Sequence, residues 1–188
     1  MIMSEDTRGK KFTKMRRNIR EVTDEDWIKG FLRRAPYGYF ATSVDDRPFL
    51  HINTFAYYEK ANCIYFHTAS AGRMKENIEE NKKTCFAVSE MGRLLPAERP
   101  SELSVEYSSV IVFGETEIIE EKDEKNKALK MLIEKYFPHL KDAEKYKSIP
   151  DGEIEITTVY RFKISEWSGK QHKQRSDHPG AFNYPYSE

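Results

Sequence analysis

Ser70, Gly72, Arg73 and Lys75 fall together in the stretch "YFHTASAGRMKENIEEN", residues 65–81. Its first half reads as the end of a β-strand and its second as the start of a helix. The first amides of a helix lack internal partners, and the aligned peptide dipoles place partial positive charge there. A serine hydroxyl and two cations beside such amides make a phosphate site, and Gly72 lets the backbone approach the anion closely. The competing reading is an ordinary strand-to-helix loop with solvated basic residues. His51 and His67 are the other candidates for chemistry. An imidazole on a strand that borders a ligand can deliver a proton or hydrogen-bond a carbonyl; alternatively each is a satisfied histidine in a polar seam. His139, His172 and His178 have no mutual spacing that suits a metal, and Cys63 and Cys85 lie in apolar β-like runs without further cysteines. No metal site is expected, and the cysteines read as reduced, buried thiols of a cytoplasmic protein.

The elements that must position these residues can be read in order. "VTDEDWIKGFLRRA" predicts a helix with Thr23 as N-cap, an acidic first turn, and an apolar stripe of Trp27, Ile28, Phe31 and Leu32; Pro36 stops it. "YGYFATSV" and "PFLHINTFAYY" flank the polar turn "DDR" and predict a hairpin over 37–58. "CIYFH" is a third strand, "TCFAVSE" a fourth after the intervening helix, and "EYSSVIVFGETEII" a long fifth in which Gly114 marks a bulge or a close backbone approach. "EKDEKNKALKMLIEKYF" predicts a helix with Leu129, Leu132, Ile133 and Tyr136 on one face and Pro138 at its end; "EIEITTVYRFKISEW" is the sixth strand. Strands joined by short polar turns, with two or three helices between them, predict a mainly β antiparallel barrel rather than a βαβ sheet.

The 188 residues suit one domain, here 19–170, with an N-terminal extension (1–18) and a C-terminal tail (171–188). The tail aromatics Phe182, Tyr184 and Tyr186 could dock on a neighbouring subunit or drape over the surface. Lys+Arg and Asp+Glu balance at 31 each, which argues against a nucleic-acid partner, and the sequence predicts neither a signal peptide nor a membrane span. No glycine-rich dinucleotide fingerprint is visible.

From about Ile19 to Trp167 the chain resembles the FMN-binding split-barrel superfamily related to pyridoxamine 5'-phosphate oxidase, in particular its nitroimidazole-resistance branch. The residues that carry the likeness are "PYGYFATSVDDRPFLHINTFAYY", "CIYFHTASAGRMKENIEEN", "CFAVSE", "YSSVIVFGETEII" and "EKYFPH". The resemblance implies a six-stranded split barrel that forms a homodimer with FMN in clefts at the subunit interface. It assigns the FMN phosphate to Ser70, Arg73 and Lys75, with the backbone of Ala69, Ala71 and Gly72 assisting. The rest of the flavin would lie along His51, Ile52, Asn53 and Thr54 and the strand end at His67 and Thr68. Ser108 and Ser109 could reach the same cleft, and Trp167 and Lys170 could approach the other subunit's flavin. The implied activity is flavin-dependent oxidation or reduction of a small, electron-poor compound, nitroaromatics included, with a nicotinamide nucleotide binding only transiently as donor. The alternative is a protein of the same fold that holds flavin, haem or a deazaflavin without turnover. No counterpart of the oxidase's C-terminal arginine-rich segment is present, which argues against vitamin B6 oxidation.

Overall fold

A two-residue strand, β1 (Glu21–Val22), leads into helix α1 (Glu25–Arg34) in the computed structural model, which describes residues 13, 15, 17–140 and 149–184. The expected cap, Thr23, lies one residue too early. Asp24 caps α1 instead, its Oδ1 accepting from the amides of Asp26 and Trp27 at 2.9 and 3.2 Å. A carboxylate there both satisfies orphan amides and faces the positive end of the helix. The predicted stripe buries Ile28, Phe31 and Leu32, and Trp27 stacks on Phe31 at its edge.

The hairpin forms from β2 (Gly38–Val44) and β3 (Arg47–Asn53). Asp45 and Asp46 both take left-handed backbone, φ 50° and 57°, as a two-residue turn that follows the sheet's twist requires. The predicted second strand then breaks at Thr54 and Phe55 before resuming as β4 (Ala56–Tyr58). Asn53 is the local cause. Its side chain accepts from the Thr54 amide at 2.8 Å and donates to the His67 carbonyl at 2.6 Å, so side-chain bonds replace the ladder there.

The chain continues through β5 (Cys63–Ala69), α2 (Arg73–Glu80), β6 (Lys83–Leu95), β7 (Ser104–Ile118) and α3 (Lys122–Tyr136) to α4 (Asp151–Glu155) and β8 (Thr157–His172). Two corrections concern the last strand. Its predicted first residues, from Glu153, belong to α4, because Ile154 turns into the apolar cluster under α3 while Ile156 stays exposed. Short alternation alone does not separate a strand from a helical turn. At its other end β8 runs to His172, past the expected Trp167.

All pairings are antiparallel, in the order β3-β2-β6-β7-β8-β5-β4, with β1 on β8. Eight strands replace the six expected, since β1 is additional and the second predicted strand is split. The sheet curls without its ends pairing. Phe40 on β2 and Phe66 on β5 stand apart in strand order yet bring their rings to 4.0 Å. The inner cluster includes Phe40, Phe66, Phe86, Val112, Tyr160 and Phe162; a second packs Cys63, Tyr65 and Val159 beneath Ala128, Leu129 and Leu132 of α3. Cys63 is buried, whereas Cys85 is only partly so. Lys135 near the end of α3 ties the pieces together, donating to the carbonyls of Ala35 and Phe55 at 2.8 and 2.9 Å.

Candidate functional site

The loop between β5 and α2 follows directly from the last paired residue of β5, Ala69. Gly72, with φ of 139°, is the N-cap residue of α2 and offers no side-chain acceptor. The first backbone bond into the helix runs from the Glu76 amide to the Gly72 carbonyl at 3.2 Å, so the amides of Arg73, Met74 and Lys75 precede the ladder. A methyl group on Gly72 would meet nothing within 4 Å, leaving open space in front of these amides. Lys75 Nζ curls back over the loop to 3.3 Å from the Ser70 carbonyl, and Arg73 Nε sits 3.5 Å from Glu76. Ser70, Ala71, Gly72 and Arg73 are all exposed. The predicted hydroxyl, cations and free amides therefore share one solvent-facing corner, as an anion cradle requires.

Asn53 fastens the end of β3 to this corner through the His67 carbonyl. Thr54 is thereby held beside His67 and Thr68, which run directly into the loop. The Thr68 hydroxyl is engaged within the fold: it lies 3.0 Å from the Tyr160 hydroxyl and donates to the Ala69 carbonyl at 2.9 Å. Nothing in the sequence marks Tyr160, because its position beside Thr68 follows from the long-range register of β5 on β8. Strand alternation puts His51 and Asn53 on the inward side of β3 and leaves Ile52 outward, 56% exposed.

Both histidines carry an unsatisfied atom. His51 Nε2 and His67 Nδ1 are sealed from solvent without a hydrogen-bond partner. Burial pushes both imidazoles below their ordinary pKa, so both are neutral at pH 7. Leaving buried polar nitrogens unpaired costs about 1–3 kcal/mol each. Such atoms mark places where a polar ligand group can be accommodated, and His67 lies on the strand that runs into the cradle loop. The residues present thus fit a flavin phosphate and a polar ring edge.

The remaining expected residues lie elsewhere in the protomer. Ala69 pairs with Thr157 at the start of β8. Lys170 is thirteen residues further on, roughly 43 Å of strand at ~3.3 Å per residue. Ser108 is buried and accepts from Gln171 at 3.1 Å; Ser109 sits opposite Lys170 in the ladder. Trp167 packs against the inner core, and the Lys170 ammonium lies 5.6 Å from the centre of the Tyr107 ring. One protomer does not bring these four residues to the cradle. Among the described residues no cluster of His, Cys, Asp or Glu could hold a metal ion, and no helix is long and apolar enough to cross a membrane.

A curled, open antiparallel sheet with helices packed on it is the architecture of the split barrels. The family model described as pyridoxamine 5'-phosphate oxidase matches residues 24–171, and the chain belongs to that family. No curated protein matches the chain by sequence. Among solved structures, the flavocytochrome Anf3 from Azotobacter vinelandii is 21% identical with a TM-score of 0.76, over 93% of this chain and 85% of that one. A FAD- and haem-binding protein from Mycobacterium smegmatis is 19% identical with a TM-score of 0.74, over 82% and 74%. A 5-nitroimidazole antibiotic resistance protein from Bacteroides thetaiotaomicron, so described provisionally, is 20% identical with a TM-score of 0.66, over 80% and 86%. At these identities the likeness is one of fold.

Proposed function

We propose that the protein is a flavin-dependent oxidoreductase, working as a homodimer, that reduces a small electron-poor compound such as a nitroaromatic. The observation that carries this reading is the open N-terminus of α2, where Ser70, Arg73 and Lys75 surround free amides at the end of the strand that carries His67. FMN is the flavin we assign, its phosphate held at that corner. When bound, flavin supplies the electron-transfer chemistry itself, so no nucleophile or metal is needed from the chain. The chain's residues bind, orient and exclude water. Arg73, Lys75 and the first amides of α2 fix the phosphate end. Neutral His51 and His67 offer hydrogen bonds along the split and can hold a proton near a reduced product. Trp167 and Lys170 are proposed to act on the partner's site, since their own lies too far along β8. With no dinucleotide fingerprint in the sequence, a nicotinamide donor would bind only transiently.

A second reading is a flavin- or haem-binding protein without turnover. It is supported by two structural neighbours, a flavocytochrome and a FAD- and haem-binding protein. The absorption spectrum and the reduction kinetics of the purified protein separate the readings, and one double substitution tests the cradle. Charge-assisted contacts are worth roughly 1.5–3 kcal/mol each, so Arg73→Ala with Lys75→Ala should release FMN from a protein that still melts cooperatively. Unchanged FMN affinity would remove the cradle from the assignment. Faster reduction by NADH or NADPH than free FMN shows, followed by reoxidation with a nitroaromatic, supports the enzyme; a Soret band without such reduction supports the binding protein.

A further inference from the structure

A second cleft, of about 550 Å³, opens between the residues before β1 and the end of β8; Arg17, Ile19, Arg20, His172, Lys173 and Gln174 are among those lining it. Its volume falls within the roughly 300–1,000 Å³ typical of small-molecule sites. Among the described residues, three cations line it and no carboxylate does. In a chain whose charges balance overall, such a concentration is unusual. Arg33, Arg34, Arg93 and Arg161 each face a carboxylate. Among the described residues, none forms an ion pair with Arg17, Arg20 or Lys173.

The neighbouring chemistry reinforces the charge. Arg20 Nη1 donates to the Tyr107 hydroxyl at 3.1 Å, which fixes the guanidinium at the mouth of the cleft. Burial of the Tyr107 phenol opposes its ionisation, but the Arg20 hydrogen bond and the charges of Arg20 and Lys170 outweigh this and lower its pKa. His172 Nδ1 lies 2.9 Å from the Val105 carbonyl, so that nitrogen carries a proton. Glu106, the carboxylate nearest to Gln174, is already occupied by Arg93 and the Gln174 amide. Ile19, 90% exposed, and the His172 ring supply flat, weakly polar surface beside the cations.

We infer that this cleft binds a phosphorylated small molecule, a diphosphate or phosphate ester of about nucleotide size, separately from the α2 cradle. The test uses the full-length protein carrying Arg73→Ala and Lys75→Ala, which removes the other anion site, titrated calorimetrically with inorganic pyrophosphate and with ADP at physiological salt. Saturable binding is expected, weakened at least tenfold by Arg17→Ala with Arg20→Ala. Lys173→Glu, on an exposed residue that supports no packing, should weaken it likewise without altering the melting temperature. ADP binding more tightly than pyrophosphate would identify a nucleotide ligand, and equal affinities a site for the phosphate groups alone. Absence of binding, or binding indifferent to all three cations, would overturn the inference.

Discussion

A methyl group on Gly114 would lie 1.9 Å from the carbonyl oxygen of Lys163 and 3.0 Å from the Phe162 ring. The register of β7 against β8 shifts at this point, between Phe113 and Gly114, and the two backbones touch because no Cβ stands between them. Gly114→Ala must therefore push apart the ladder that carries the inner core. Overpacking of this kind costs roughly 1–3 kcal/mol or more, and the urea midpoint should fall accordingly with an unchanged m-value. Gly30→Ala is the matched control: it meets nothing within 4 Å on α1 and should stabilise by about 0.5–1 kcal/mol. A midpoint for Gly114→Ala equal to that of wild type would show that the ladder yields without penalty. Gly114 is legible in the sequence because a glycine inside a β-branched run needs a backbone reason. The unsatisfied state of His51 and His67 is not, since it depends on what the curled sheet places around each ring.

Elements followed the same division. The hairpin over β2 and β3 is written locally, by alternation and two aspartates that tolerate left-handed backbone, and so was readable. The start of β8 was not, because four alternating residues fit a strand or a turn of helix equally well until Ile154 finds the cluster under α3. The tail shows the limit more sharply. Expected either to drape over the surface or to dock on a neighbouring subunit, the tail has its described part held on its own protomer by residues some eighty positions away. Arg93 forms a two-pronged pair with Glu106, Nε to Oε2 at 2.9 Å and Nη2 to Oε1 at 2.8 Å, and also donates to the carbonyls of Arg175 and Ser176. Beyond this clamp Phe182 pairs with Leu94, whose amide donates to the Phe182 carbonyl at 2.7 Å. The Arg93 guanidinium and the amides of Gln174 and Arg93 hold the Glu106 carboxyl down to about 2 from its ordinary 4.5. A depressed carboxyl contributes stability that is fully present above about pH 4.5 and is lost as the pH falls towards 2. Hydrogen exchange should show the Leu94 amide protected at neutral pH and opening progressively below pH 4.5. Glu106→Gln should expose it at neutral pH and admit trypsin at Lys173 and Arg175. Protection at Leu94 unaffected by either change would mean that the Phe182 bridge alone holds the tail.

At the scale of the whole molecule, α3 covers the outward face of the curled sheet at β5 and β8, while Leu50 and Ile52 leave the outward face of β3 open. Following the ladder from β3 to β8, one outward row reads Ile52, Tyr39, Ala87, Ile111 and Ser168, and the next reads Leu50, Ala41, Cys85, Phe113 and Glu166. Leu50 and Ile52 are 58% and 56% exposed, and Ile111 39%. A contiguous apolar surface of this kind on a protein otherwise rich in charge marks an interaction site rather than scattered surface residues. A second copy is the occupant consistent with the proposed function, for Trp167 and Lys170 reach a flavin cradle only if another protomer presents one. Leu50→Lys with Ile52→Lys places two charges on this face while leaving the inward side of β3, with Phe49 and His51, untouched. Wild type should sediment as a dimer at low micromolar concentration and the variant as a 22.1 kDa monomer. The variant should still melt cooperatively, because both altered residues already face water in the protomer. It should also lose flavin, since a cleft shared between subunits disappears with the interface. Ile156→Lys, on an equally exposed apolar residue away from this sheet face, should change neither mass nor flavin content. A variant that remains dimeric would move the interface to another surface, and a monomer that keeps its flavin would place the whole cofactor site within one chain.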